Sequence, residues 1–312
     1  MDHARHTDRA DSAALQYDDT NRPPASAFYR VAYTQGAKMT PGELSRVSKK
    51  ADHVISYGAS PDQKAELRVP PGDGPHPVVI LIHGGCWASF ANLSDLGPMA
   101  DALKSSGFAS LNIEYRRLGQ TDGGWPGTFL DVGTAVDLLR TLAAQHRLDL
   151  SRVVVLGHSA GGHLAMWVAA RSRLPVGTPL YVENPLPIKG VINLAGPGDM
   201  ESFIPFQTQG CGSAVVQAML GGTPARFPER YAQASAIRML PLGKPQILIW
   251  GDRDDILPLS VGEDYAKAAT EVGDPALLVV FPGLGHFETA SPYSPCWPVV
   301  RSAIECLVEK KG

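Results

Sequence analysis

The chain has 312 residues, of which 44% are hydrophobic and 19% are charged, and its formal net charge is -3. This composition is typical of a globular protein and excludes a wholly disordered chain. No cluster of basic residues indicates a phosphate-binding surface, so nucleic acid is not an expected partner.

The first fifty residues are polar and contain Pro23, Pro24 and Pro41 with little periodicity. We predict an N-terminal arm over residues 1–50 that packs onto one large domain over residues 51–312. The start of the chain is polar and acidic, whereas a secretory signal needs an apolar stretch behind a basic start. The longest apolar runs have the length of strands, so we expect no membrane span and a cytoplasmic protein.

Strand-like and helix-like segments alternate along the rest of the chain. The predicted strands are residues 53–57, 65–69, 77–82, 108–113, 153–156, 191–194, 246–250 and 277–281. The predicted helices are residues 96–104, 132–144, 162–170, 265–272 and 299–308. This alternation predicts an α/β fold with a mostly parallel central sheet and helices on both faces.

Residues 196–240 interrupt the alternation, because they form a long segment rich in Gly and Pro between two predicted core strands. We interpret this segment as a small cap insertion over the carboxyl ends of the strands. Ligands of such sheets bind at those ends, so the insertion is expected to lie near the functional site.

The four cysteines are too few and too scattered for a disulfide framework, and no C-x-x-C pair indicates a zinc site. We therefore expect Cys86, Cys211, Cys296 and Cys306 to be free thiols. For Cys86 we prefer a role as a small space-filling residue over that of a reactive thiol.

The strongest motif is G-H-S-A-G at residues 157–161, where a predicted buried strand runs into a predicted helix. Glycines on both sides of Ser159 permit a sharp turn that leaves the serine hydroxyl exposed above the sheet. The helix that follows begins with unpaired amides, which favour negative charge. The pentapeptide alone occurs by chance, but the flanking strand and helix make it specific. Ser159 is the predicted nucleophile.

A second glycine-rich motif, H-G-G-C-W at residues 83–87, follows another buried strand. Acyl transfer turns a carbonyl oxygen into an anion, which needs preorganised amide donors. We assign the amides of Gly84, Gly85 and Cys86, together with that of Ala160, as candidates for this oxyanion hole. The sequence leaves open which of the first three point inward, and a plain glycine-rich turn is the alternative.

An acidic loop follows the predicted strand 246–250 and contains Asp252, Asp254 and Asp255. A serine nucleophile needs a histidine base, and that imidazole needs a carboxylate to fix its tautomer and to stabilise its charged form. We select Asp254 for this role, and either of the other two carboxylates remains the alternative.

His286 lies on a loop directly after the last predicted strand. An imidazole with an ordinary pKa of about 6.5 can accept the serine proton and return it near neutral pH. The resulting chain order is Ser159, Asp254, His286. His83 and His158 precede the working atoms of their motifs, so we expect them to form hydrogen bonds with the loops rather than to transfer protons.

Four aromatic side chains are candidates for the wall of an acyl or aryl pocket, although each fits plain core packing equally well. These residues are Trp87, Trp125, Phe203 and Phe206.

With these motifs, the chain resembles α/β-hydrolases of the esterase and kynurenine formamidase (arylformamidase) type, from about residue 54 to the C-terminus. H-G-G-x-W at 83–87 and G-H-S-A-G-G-H-L at 157–164 are also similar to feruloyl-esterase-like members. The spacing G-x-x-D-x-x-L-P at 251–258 resembles the acid loop of many α/β-hydrolases. Three further segments look like bacterial members of the group, namely residues 112–117, 124–130 and 220–231.

The resemblance implies an α/β-hydrolase fold and hydrolysis of a carboxylic ester or an activated aryl amide, with no metal and no organic cofactor. The prediction is a serine hydrolase that cleaves a carboxylic ester through a Ser-His-Asp triad and an acyl-enzyme intermediate. The alternatives are an arylformamidase and, less favoured because no propeller repeat is present, a serine peptidase. A pure binding module is disfavoured because all three triad residues are present. The expected partner is a small-molecule ester or aryl amide, and a homodimer is an open alternative to a monomer.

Overall fold

The computed structural model describes residues 27–30, 38–44 and 48–309. In this part of the chain nine strands form one sheet. The strands are β1 Ala27–Arg30, β2 His53–Ser56, β3 Lys64–Arg68, β4 His76–Ile82, β5 Ala109–Ile113, β6 Leu148–His158, β7 Gly190–Leu194, β8 Gln246–Gly251 and β9 Ala276–Phe281. All the strands predicted from the sequence are present, which confirms the α/β prediction.

The strand order across the sheet is β1-β9-β8-β7-β6-β4-β5-β3-β2. Only β2 with β3 and β3 with β5 pair antiparallel, so the sheet is mostly parallel as predicted. Strand β6 follows β5 in the sequence but pairs with β4 in the sheet. In this pairing Ile82 lies beside Gly157. The carboxyl ends of β4 and β6, each followed by a glycine-rich motif, are neighbours at this point of the sheet.

Helices cover both faces of the sheet. They are α1 Pro41–Leu44, α2 Gly97–Ser105, α3 Gly127–Asp137, α4 Leu139–His146, α5 Ala160–Ala170, α6 Met200–Phe203, α7 Gln207–Cys211, α8 Val215–Leu220, α9 Pro228–Ala234, α10 Leu259–Glu271 and α11 Trp297–Glu309. Along β4, Val79 and Leu81 pack with α2 and α11, whereas Ile80 packs with α3 and α5 on the other face. Successive side chains of a strand point to opposite faces, and both faces are buried here, so the central strands are continuous apolar runs.

Three elements differ from the predictions. The predicted helix 132–144 is two helices, α3 and α4, but Leu138 between them keeps helical dihedral angles of -54° and -29°. The predicted helix 265–272 begins earlier, at Leu259 directly after Pro258, because a proline readily precedes a first turn. Strand β1 lies inside the predicted arm and pairs in parallel with β9, and the arm otherwise falls mostly outside the described residues.

Residues 196–240 form α6 to α9 and the 3-10 helix Ala236–Met239, between β7 and β8. Their backbone returns to its starting point, where the Ile237 amide donates to the Gly198 carbonyl at 3.1 Å. Val216 and Met219 of α8 are fully buried in the same core as α3 and α5. The insertion is therefore packed onto the sheet domain.

The cysteine prediction is wrong for one pair, because Cys86 and Cys211 form a disulfide with a Cα–Cα distance of 5.9 Å. Cys296 and Cys306 are free, as expected. The bonded cysteines are 125 residues apart in sequence, so no local spacing relates them. Only the packing of α7 against the loop after β4 brings the two sulfur atoms together.

Candidate active site

Ser159 is the one residue between strand β6 and helix α5, and its backbone has φ 54° and ψ -122°. A residue with a Cβ rarely adopts this conformation, which must be held by its surroundings. The Ser159 amide donates to the Leu194 carbonyl at 2.8 Å, and the His163 amide donates to the Ser159 carbonyl at 3.1 Å. These bonds to β7 and to the first turn of α5 hold the turn in its strained shape.

Glycines on both sides of the turn permit the close approach of three backbone segments. A Cβ atom at Gly157 would lie 2.0 Å from the carbonyl oxygen of Gly161, and one at Gly161 would lie 2.0 Å from that of Ile82. A Cβ at Gly84 would lie 2.9 Å from the Cβ of Ser159. Only glycine therefore fits at these positions, and the loop after β4 lies directly against the serine.

The loop after β4 contains three consecutive residues with positive φ, namely Gly85 at 97°, Cys86 at 54° and Trp87 at 54°. Positive φ at two residues that are not glycine is a strained arrangement of the kind that occurs at functional sites. Within the described residues, none of the four candidate amides, those of Gly84, Gly85, Cys86 and Ala160, donates to a protein acceptor, and of these residues Cys86 and Ala160 line the same cavity as Ser159. Two unpaired donors therefore belong to residues that surround the serine.

His286 and Asp254 form a buried hydrogen-bonded pair. His286 Nδ1 lies 2.6 Å from Asp254 Oδ2, and the two side chains are 2% and 0% exposed. The other carboxylate oxygen, Oδ1, accepts from the amides of Ile256 at 2.9 Å and Leu257 at 2.8 Å. Because Nδ1 of a neutral imidazole donates to the carboxylate, Nε2 carries the lone pair that can accept a proton.

The competing carboxylates of the acidic loop point elsewhere. The Asp255 side chain is 62% exposed and forms an ion pair with Lys38 at 2.6 Å. Asp252 is exposed and accepts from the Gly283 amide at 2.6 Å. Of the three predicted candidates, Asp254 is the one that contacts His286.

The two motif histidines form hydrogen bonds with the loops, as predicted. His158 Nε2 donates to the carbonyl oxygen of His286 at 3.1 Å, and His83 Nε2 lies 2.9 Å from Glu114. Burial and the neighbouring His286 hold the pKa of His158 well below its usual range, so this ring stays neutral near pH 7. His158 therefore positions the His286 loop.

Glu114 is a buried residue of the site that the motifs did not single out. Its carboxylate accepts from the Leu93 amide at 3.1 Å and pairs with Arg117 at 3.0 Å, in addition to His83. Burial alone would raise the pKa of Glu114, but the hydrogen bond from His83 and the charge of Arg117 together lower it. The ionised carboxylate joins both ends of the loop after β4. In the sequence, the signal for Glu114 was that the segment 112–117 resembles bacterial members of the group.

A small cavity opens at Ser159, with an empty volume of about 210 Å³ that includes its mouth. Its lining contains four motif residues, namely Ser159, Ala160, Cys86 and Trp87. Its other walls come from the insertion and from the loop after β8, through Phe203, Cys211, Ile256 and Leu257. Two of the four predicted aromatic residues therefore line the cavity. Trp125, which packs on Phe129, and Phe206 do not, and their contact with a substrate stays a prediction.

His163 connects the cavity wall to the insertion. Trp87 Nε1 donates to His163 Nδ1 at 3.2 Å, and His163 Nε2 donates to the Ala234 carbonyl at 2.9 Å. The bond from Trp87 requires the neutral ring, because Nδ1 must keep its lone pair to accept, whereas the bond to Ala234 forms in either protonation state. Burial lowers the pKa of His163 to about 4, so the neutral form persists well into the acid range.

We expect the free energy of unfolding to fall as the pH drops from about 6.5 to about 4. In this window the unfolded chain protonates His163 while the folded chain does not, so stability rises with pH and is lost on acidification. The contribution is on the order of 3 kcal/mol at pH 4, and His158 adds to it in the same direction. Urea unfolding of the wild type and of His163→Gln at several pH values measures it. An unchanged pH slope in the variant would contradict the assignment.

Two further features of the described residues concern metal ions and membranes. These residues contain no group of three or more His, Cys, Asp or Glu side chains with the geometry of a metal site. In the same part of the chain, every helix is too short or too polar to cross a bilayer.

Comparison with curated proteins identifies esterases. Over 242 residues the chain is 26% identical to esterase LipC of Mycobacterium tuberculosis, a match that covers 74% of this chain and 58% of LipC. Esterase LipQ of the same organism is 24% identical over 208 residues, which are 63% of this chain and 46% of LipQ. The chain thus spans about half the length of these relatives.

Solved structures show the same fold. Esterase B from Lactobacillus rhamnosis superposes with a TM-score of 0.72 at 20% sequence identity, covering 86% of this chain and 90% of the esterase. This similarity confirms the predicted α/β-hydrolase fold. The BD-FAE family model matches residues 67–268, a segment that includes β4 to β8, the turn at Ser159 and Asp254. The match covers well more than half of this chain, and the chain therefore belongs to the BD-FAE family.

Proposed function

We propose that this protein is a serine hydrolase that cleaves carboxylic esters, with Ser159 as nucleophile, His286 as base and Asp254 as the acid that orients the histidine. The observation that carries the proposal is the buried pair of His286 and Asp254 at 2.6 Å, on the same edge of the sheet as the strained turn at Ser159. The esterase relatives support an ester as the substrate.

In the first half of the reaction, Ser159 attacks the ester carbonyl while His286 Nε2 takes the hydroxyl proton. Asp254 stabilises the imidazolium that forms. The carbonyl oxygen becomes an anion, which the amides of Cys86 and Ala160 bind. Of the four candidate donors, these two belong to residues of the cavity wall. Gly84 lets the loop after β4 lie close to Ser159, and Gly85 lets this loop turn.

In the second half, the imidazolium gives its proton to the leaving alcohol, and the acyl group stays on Ser159 Oγ. A water molecule then attacks the acyl-enzyme while His286 takes one of its protons. Collapse of the second oxyanion returns that proton to Ser159 and releases the carboxylic acid. One histidine thus serves as base and acid in both halves.

The sequence also led to predictions about the cap, the alternative substrate, the oligomeric state and the location of the protein. We propose that residues 196–240 act as the cap of a domain that spans residues 51–312, because Phe203 and Cys211 line the cavity. The arylformamide substrate, the homodimer and the cytoplasmic location stay predictions. The Cys86–Cys211 disulfide favours an oxidising compartment over the cytoplasm, because thiols are kept reduced in the latter.

A fluorophosphonate probe tests the proposal directly, because it phosphonylates an activated serine. We expect peptide mapping by mass spectrometry to place the label on Ser159 and labelling to abolish turnover of p-nitrophenyl butyrate. Labelling at another serine, or full turnover after complete labelling, would refute the nucleophile assignment. N-formylkynurenine is assayed in parallel, and a strong preference for it over every ester would favour the arylformamidase alternative.

A further inference from the structure

The disulfide between Cys86 and Cys211 lies in the wall of the cavity at Ser159. Cys86 belongs to the loop after β4, and Cys211 is the last residue of the five-residue helix α7 in the insertion. The bond therefore fixes the insertion to the loop that carries a proposed oxyanion donor. Neither the proposed mechanism nor the family resemblance uses this bond.

The geometry of the reaction decides which part of an ester meets the disulfide. The leaving oxygen must come within hydrogen-bond reach of His286, because this residue protonates it. His286 is not part of the cavity wall, whereas Cys86, Trp87, Phe203 and Cys211 are. We therefore expect the leaving group to lie outside the cavity on the His286 side and the acyl group to enter the cavity toward the disulfide.

The cavity is small, and a hydrogen bond, a ring contact and the disulfide join residues of its wall to their neighbours. Even with its mouth included, the empty space at Ser159 has a volume of only about 210 Å³. Trp87 is held by its hydrogen bond to His163, and its ring packs edge to face with Phe203 at 6.3 Å. Helix α7 has only five residues and is followed by Gly212 with φ 74°, and Cys211 packs at the edge of the hydrophobic core. The covalent bond to Cys86 keeps the sulfur atoms in the wall.

We propose that the Cys86–Cys211 disulfide is the specificity-determining wall of the acyl subsite and restricts the enzyme to short acyl groups, from acetyl to butyryl. This inference rests on the proposed ester hydrolase function. Its distinguishing consequence is a change in the ratio of rates between long and short acyl chains, rather than a uniform change in activity.

The test compares kcat/KM for p-nitrophenyl acetate, butyrate, hexanoate and octanoate in the wild type and in Cys211→Ala, normalised to the sites that the fluorophosphonate labels. We expect the hexanoate-to-acetate ratio to rise by about tenfold in the variant, because one or two methylene groups in an apolar pocket change rates by this order. The matched control is Cys306→Ala, which removes a half-buried free thiol of α11. Its ratio should equal that of the wild type.

A second measurement leaves the sequence intact, in case Cys211→Ala does not fold. A phosphine reductant converts the disulfide and one water molecule into two thiols and a phosphine oxide, and alkylation at Cys86 and Cys211 verifies the reduction by mass. The same rise in the ratio is expected. An unchanged ratio, or an equal fall for all four esters, would overturn the proposal while wild-type turnover left the proposed function intact. A wild type that neither labels at Ser159 nor cleaves any of the esters would refute both.

Discussion

Replacement of Ser159 by alanine is expected to lower kcat for p-nitrophenyl butyrate by about 10⁴-fold or more. The hydroxyl is the proposed nucleophile, and the remaining donors and binding contacts supply a residual acceleration of only about 10³- to 10⁴-fold over water. Steady-state kinetics together with loss of fluorophosphonate labelling measure the effect.

The fold should survive this substitution. Alanine keeps the Cβ atom, so the strain at φ 54° is unchanged, and the hydrogen bonds to Leu194 and His163 involve only the backbone. Ser151→Ala is a suitable control, because Ser151 is exposed and its hydroxyl bonds Asp149 in the first half of β6, away from the cavity. A folded Ser159→Ala protein with wild-type turnover would disprove the assignment.

Asp254→Asn is expected to reduce kcat by about 10⁴-fold through the tautomer of His286. The amides of Ile256 and Leu257 donate to the oxygen at the Oδ1 position, so they hold the carbonyl oxygen of an asparagine there. The NH₂ group then faces His286 Nδ1, which must become the acceptor. Nε2 consequently carries the proton and can no longer take one from Ser159.

The neighbouring carboxylate provides the matched comparison. Asp255→Asn makes the same chemical change one residue away, on a side chain that is 62% exposed and paired with Lys38. An exposed ion pair contributes little to stability, so we expect nearly unchanged kcat and a melting temperature close to that of the wild type. If Asp255→Asn were the damaging variant and Asp254→Asn retained activity, the choice of the acid would be mistaken.

The candidate site was recognisable in the sequence because each piece is encoded locally. Gly157, Ser159 and Gly161 lie within five residues at the junction of a strand and a helix, and the structure has this junction at β6 and α5. The apolar runs identified the strands because both faces of the sheet are covered. Strand β1 was missed, since four residues without a distinctive pattern join the sheet only by pairing with β9.

The finer features depend on residues that are distant in the sequence. Glu114 acts on the loop after β4 from the end of a different strand, and Ile256 and Leu257 line the cavity only because their loop folds over the carboxyl end of β8. The choice among three carboxylates was suggested by spacing, but the contact of Asp254 with His286 is a matter of side-chain direction.

By itself, the sequence determined the α/β architecture and the local motifs, because periodicity and glycine spacing act over a few residues. The tertiary structure alone decided that Cys86 and Cys211 are bonded, that Trp87 and Phe203 rather than Trp125 and Phe206 line the cavity, and that the cavity at Ser159 is small. Contacts between segments more than a hundred residues apart leave no periodic pattern in the chain, and only the packing of the insertion onto the sheet reveals them.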